Sequence, residues 1–195
     1  VPSPRVWREY LKWQEGKNGS KSMAVDFRNK TDYGWHSHVE TLKMEDGKRT
    51  DSTVFTTLFY GHNILRPCCY ECRWKSTVHP GDITIADYWG IEKAAPEFDD
   101  NRGVSLVLVN NEKGIDTFEA VKDVLKWKET RLEDSMQPPL KAPFPKPVNR
   151  EQFWMDFHGP DFTTIARKYG GYGLINKLRR GVRKVARKIK LIIKK

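Results

Sequence analysis

The chain has 195 residues, 38% hydrophobic and 31% charged, enough for one well-buried core with a small appendage. Its net charge of +10 misleads, because residues 163–195 hold twelve Lys or Arg and no acid, leaving 23 basic against 25 acidic side chains elsewhere. That balance argues against a basic nucleic-acid binder, and no apolar run approaches the roughly 18 residues of a membrane span.

From the N-terminus, Ser3-Pro4 opens a helix over Val6 to Lys17, with Val6, Trp7, Tyr10, Leu11 and Trp13 on a helical period and Gly16 and Gly19 at its end. Met23 to Phe27 reads as a strand, Asn29 to Gly34 as a turn, and Trp35 to Met44 as a second strand. Asp46-Gly47 is a hairpin or loop signal. Asp51 or Ser52 then caps a short helix carrying Val54, Phe55, Leu58 and Phe59. Asp82 to Ala86 is a β run. Ser105 to Asn110 is another, apolar enough to be expected at the centre of a sheet. A helix is expected from about Ile115 to Trp127, with Phe118, Val121, Val124 and Leu125 inward. Interleaved strands and helices predict an α/β (α+β) fold, a mixed β-sheet flanked by helices.

Five prolines between Met136 and Val148 predict a stiff, extended connector over 136–148. The remaining 149–195 reads as a helical extension, with Asn149 and Asp161 as caps for two helices. In 174–195 a stripe of Leu174, Leu178, Val182, Val185, Ile189 and Ile192 runs through Lys and Arg. Such a pattern suits an anionic membrane surface or a solvated tail; nucleic acid is the weaker reading, since no aromatic interleaves the basic run.

All three cysteines fall in Leu65-Arg66-Pro67-Cys68-Cys69-Tyr70-Glu71-Cys72. Thiolates are soft ligands for iron–sulfur clusters or zinc, and a two-residue spacer presents two sulfurs to one centre. A redox pair, half a zinc site or buried thiols share the same pattern. Three cysteines do not complete a four-thiolate site. An odd, clustered cysteine count argues for a reducing, cytoplasmic setting and against a disulfide framework. His62 and His79 flank the pair as zinc arms at a longer spacing than usual.

Leu-Arg-Pro-x-Cys-Tyr-x-Cys, followed by Asp82-Ile83-Thr84-Ile85-Ala86-Asp87-Tyr88-Trp89-Gly90-Ile91, resembles the C-terminal domain of the coenzyme F420 hydrogenase/dehydrogenase beta subunits. Val1-Pro2-Ser3-Pro4-Arg5-Val6-Trp7, Phe27-Arg28-Asn29-Lys30 with Tyr33-Gly34-Trp35, and Gly103-Val104-Ser105-Leu106-Val107-Leu108-Val109-Asn110 match in order. The likeness spans roughly residues 1–120, within a domain taken as 1–135. It implies an iron–sulfur flavoprotein oxidoreductase with a 4Fe-4S cluster and FAD. Such proteins pass electrons to coenzyme F420 or another acceptor, with a ferredoxin or a hydrogenase/dehydrogenase subunit as redox partner. In that family Val-Pro-Ser-Pro usually follows a Cys-His-Gly not present here, and the place of Cys68 is more often serine. The chain therefore reads as part of a longer protein.

The resemblance makes Cys69 and Cys72 the expected metal ligands, with Cys68 as a substitute or neighbour. Arg66 beside them is suited to offsetting cluster charge or meeting a phosphate, or to an ion pair with Glu71 or Asp82. Asp87 ends its strand beside Trp89-Gly90, where backbone can approach a cofactor, unless it only caps the turn. Trp89 and Trp35 suit stacking on a flavin ring or packing in the core. Arg28 and Lys30 suit phosphates or plain solvent exposure. No Gly-rich phosphate turn and no hydrolytic constellation is present.

Overall fold

The structure, a computed structural model, describes residues 1–159 and 161–173, so the basic stripe expected in 174–195 lies outside the described residues. The elements run α1 (Pro4–Asn18), β1 (Ser22–Asp26), α2 (Lys30–Tyr33), β2 (Glu40–Met44), β3 (Arg49–Ser52) and α3 (Val54–Tyr60). They continue as β4 (Ile83–Asp87), α4 (Ile91–Ala94), β5 (Ser105–Val109) and α5 (Glu112–Glu119). Helices α6 (Leu132–Ser135), α7 (Pro138–Lys141), α8 (Arg150–Phe157) and α9 (Phe162–Lys168) follow. The mixed α/β class holds, and the strands part into two antiparallel sheets.

The chain forms two compact units, each from separate segments: residues 1–29, 38–66 and 146 onward in the first, 30–37 and 67–145 in the second.

In the first unit, α1 begins with Pro4, whose missing N–H costs nothing in a first turn. It buries Val6, Tyr10 and Gln14, an i, i+4, i+8 stripe. The helix runs through Gly16 and stops at Gly19, which takes the left-handed conformation (φ 65°) and donates its N–H to Glu15 O at 2.8 Å. Its sheet has the order β1-β2-β3, with Leu42 of β2 opposite Val25 and Thr50. Strand β2 is shorter than the run expected from Trp35. Strand β3 is an addition, paired to β2 through the Asp46-Gly47 turn. Ser52 accepts the Val54 N–H at 3.1 Å at the start of α3. Val54, Phe55 and Leu58 of α3 join Phe153, Phe157, Ile165 and Ala166 of α8 and α9 in one core with Leu42 and Met44. The extension after the prolines is thus part of this core.

In the second unit, among the described residues, β4 pairs with β5 alone, Ile83 opposite Val109 and Ile85 opposite Val107. Ala86, Leu106 and Leu108 face Tyr88, Ile91, Ala95 and Leu140. The alternate residues are open: Ile85 is 70% exposed and Val109 40%. β5 is therefore not the central strand its apolarity predicts. The expected helix to Trp127 is also cut short: α5 ends at Glu119, a 3₁₀ turn covers Lys122–Val124, and Val124 is exposed rather than inward. The stretch 136–148 is not simply extended. Two prolines open α7, whose Leu140 is buried. Trp35 is buried here, its backbone N–H on Asn101 O at 2.7 Å. Gly103 (φ 98°) is the reason it fits, since a Cβ there would stand 2.3 Å from Trp35 Cδ1.

Candidate functional site: a cysteine turn

Pro67 sets φ at the start of a short 3₁₀ turn, Pro67–Cys69, closed by the Tyr70 N–H on Pro67 O at 3.1 Å. A second turn follows at once, with the Lys75 N–H on Cys72 O at 3.2 Å. These tight turns hold Cys68, Cys69 and Cys72, none in a disulfide, on one short stretch, Cys68 exposed and the other two half-buried. Arg73 stacks its guanidinium over the half-exposed Trp74 at 4.6 Å.

The donor set is incomplete for a four-ligand cluster. Among the described residues, no group of three or more His, Cys, Asp or Glu side chains gathers as a metal would need. His62 and His79 flank the cysteines in the sequence. His79 Nε2 pairs with Ser76 O at 2.7 Å, and His62 occupies a left-handed turn (φ 61°).

Asp87 is exposed at the end of β4, on the open face with Ile83 and Ile85, opposite Ser105. Trp89 is 38% exposed and its N–H is held by Gln137 Oε1 at 2.9 Å. Gln137, itself buried, holds this N–H and has no counterpart among the sequence expectations. It sits 48 residues away inside the proline-rich stretch, where no local signal points to it. Asp82, outside the strand, bonds Asn111 Nδ2 at 3.0 Å and then Lys113 Nζ at 3.0 Å, which together hold its carboxyl below the usual range.

Arg28 and Arg66 belong to the first unit, Lys30 to the second. Arg28 is half-buried just after β1, its N–H on Asp26 Oδ1 at 3.0 Å. Arg66 is exposed, and its N–H meets Val1 O at 3.1 Å where residues 64–66 run antiparallel to the N-terminus. The Val-Pro-Ser motif and the residues leading to the cysteines are thereby laced together by backbone, including Ser3 N–H on Ile64 O at 2.8 Å.

A second chemically distinct group lies in the first unit. Glu40 is fully buried, and its Oε1 accepts from Tyr10 Oη at 3.1 Å and from the Phe55 N–H at 2.9 Å. Its Oε2 accepts from Thr56 Oγ1 at 2.7 Å. Gln14 Nε2 donates to Tyr10 Oη at 2.9 Å. Burial, and after it the charge of Glu40, pushes the Tyr10 phenol well above its ordinary range. Helical spacing flags Tyr10 as core, yet nothing in the sequence pairs it with Glu40.

Among the described residues no helix is long and apolar enough to cross a membrane. No match is found among curated proteins or among solved structures. The family model for the C terminus of the coenzyme F420 hydrogenase/dehydrogenase beta chain matches residues 1–135, which include the laced N-terminal motif, the cysteine turn and the β4–β5 pair. The chain belongs to that family of oxidoreductase beta subunits.

Proposed function

We propose that this chain is the C-terminal part of an iron–sulfur flavoprotein oxidoreductase that passes electrons between a cluster and a flavin or deazaflavin acceptor. The observation that carries the reading is the cysteine turn, three cysteines outside any disulfide on one short stretch within the region matched to the family. Cys69 and Cys72 supply thiolates to a 4Fe-4S cluster whose remaining ligands come from outside this chain, since the described residues do not complete a set. Cys68 is a neighbour. Arg66 offsets negative charge beside the thiolates. Asp87 and Trp89, the latter seated by Gln137, contact FAD or coenzyme F420, and Arg28 binds a phosphate. The setting is the cytoplasm, where thiols stay reduced, and the partner is a redox protein such as a ferredoxin or another hydrogenase/dehydrogenase subunit.

The test is iron and sulfide analysis after anaerobic reconstitution of the chain together with the rest of its oxidoreductase. Replacing Cys69 or Cys72 (Cys69→Ser, Cys72→Ser) is expected in each case to lower bound iron and sulfide, and Cys68→Ser to leave them near the parent value. A damaging Cys68→Ser beside silent Cys69→Ser and Cys72→Ser overturns the assignment.

A further inference from the structure

We infer that Tyr10 is a redox-active tyrosine, a trap for one-electron oxidants that is reached through Trp13 and yields its proton to Glu40. The inference rests on the first unit alone and is independent of the cysteine turn. Tyr10 is fully buried, and its ring centroid lies 5.3 Å from that of Trp7 and 6.1 Å from that of Trp13. These are contact distances for aromatic rings, so an electron passes between neighbours with no gap to cross. Trp13 is half-buried, beneath Lys17 Nζ at 4.3 Å, and forms the accessible end.

Oxidised phenols are strong acids, and a buried one has no bulk water to take the proton. Glu40 Oε1, at 3.1 Å from Tyr10 Oη, is a carboxylate already aligned to receive it. A role in packing alone needs no such arrangement. Phenylalanine would fill the ring's space but would bring no hydroxyl to Glu40 Oε1 and none for Gln14 Nε2 to meet.

A one-electron oxidant of the oxygen-radical class, such as a peroxyl radical, takes an electron from Trp13 and becomes its reduced anion. Trp13 recovers an electron from Tyr10, and the phenolic proton moves to Glu40 Oε1. The products are intact Trp13, a neutral Tyr10 phenoxyl radical and a neutral Glu40 acid. Between Tyr10 and Glu40 only a proton has moved. Gln14 Nε2 still donates to the phenoxyl oxygen, the new carboxylic acid donates back to it, and the Phe55 and Thr56 donors still meet Glu40. The buried charge falls from one to zero, which the apolar surroundings favour. Burial and the neighbouring Glu40 raise the phenol pKa, which fits this, because loss of the proton without the electron is disfavoured.

The experiment is a flash–quench oxidation of the full chain with photogenerated tris(bipyridine)ruthenium(III), read by transient absorption and freeze-quench electron paramagnetic resonance. In the parent chain a tryptophan radical is expected to convert to a tyrosyl radical, more slowly in heavy water than in light. Tyr10→Phe is expected to abolish the tyrosyl signal and leave the tryptophan radical long-lived. Glu40→Gln, folded by circular dichroism, is expected to slow the conversion roughly a hundredfold, the low end of what a positioned proton acceptor contributes. A tyrosyl signal undiminished in Tyr10→Phe overturns the inference. So does a radical that stays on tryptophan in the parent chain, or a parent rate equal in the two waters. The last two readouts use no variant, so a failure of Glu40→Gln to fold leaves the inference open to refutation.

Discussion

Strands β2 and β5 make an instructive pair. β2, Glu-Thr-Leu-Lys-Met, is the more polar, yet four of its five residues are buried, Glu40 among them. β5, Ser-Leu-Val-Leu-Val, is almost wholly apolar, yet Val107 and Val109 stand open. The difference lies in what each strand is given to lie against. β2 has a strand on either side and its apolar residues share a core with α3, α8 and α9. Among the described residues β5 has one strand partner and apolar cover on one face only. Burial is thus set by the number of layers an element meets, and a carboxylate can be taken inside where donors are waiting for it.

The contrast is tested most severely in the core that β2 shares. Phe153 of α8 is fully buried there, so Phe153→Ala is expected to cost about 3–5 kcal/mol of unfolding free energy in a urea titration. A loss near zero would mean that the helices after the prolines do not close this core. In the second unit the two faces of the small sheet are expected to answer differently. Leu106→Ala, on the covered face, should cost about 2–5 kcal/mol, while Ile85→Lys, on the open face, should stay within about 0.5 kcal/mol. Equal effects from the two would show that the open face is covered in solution.

The smallest effect concerns α8 and α9. Hydrogen bonds from Lys168 first, then Tyr169 and Gln152, hold the Asp156 carboxyl at about 2 against an ordinary 3.8. A carboxylate lowered on folding stabilises the native state above its unfolded value and loses that contribution as pH falls through the folded one. Stability of the parent chain should therefore decline between about pH 4 and pH 2 more steeply than that of Asp156→Asn, measured as urea midpoints across the acid range. Parallel pH curves would show that these hydrogen bonds do not persist in solution.

Local features followed from the order of residues alone. The inward placing of Val6 and Tyr10 on α1, the Gly19 stop, the Asp46-Gly47 turn and the Asp161 cap, whose Oδ1 accepts from Thr163 N–H at 2.8 Å, each depend on residues within one or two turns of chain. The ordered motifs of the first 120 residues also sufficed for the family. Three other matters were settled only when the elements packed. The fold paired β5 with β4 only, since an apolar strand reads the same whether one face or both are covered. It turned residues 136–145 of the proline stretch into part of the second unit, where Leu140 found a core and Gln137 found the Trp89 N–H across 48 residues. And it set Tyr10 on Glu40, thirty positions apart, because the two lie on different elements whose buried faces meet only once the core is packed.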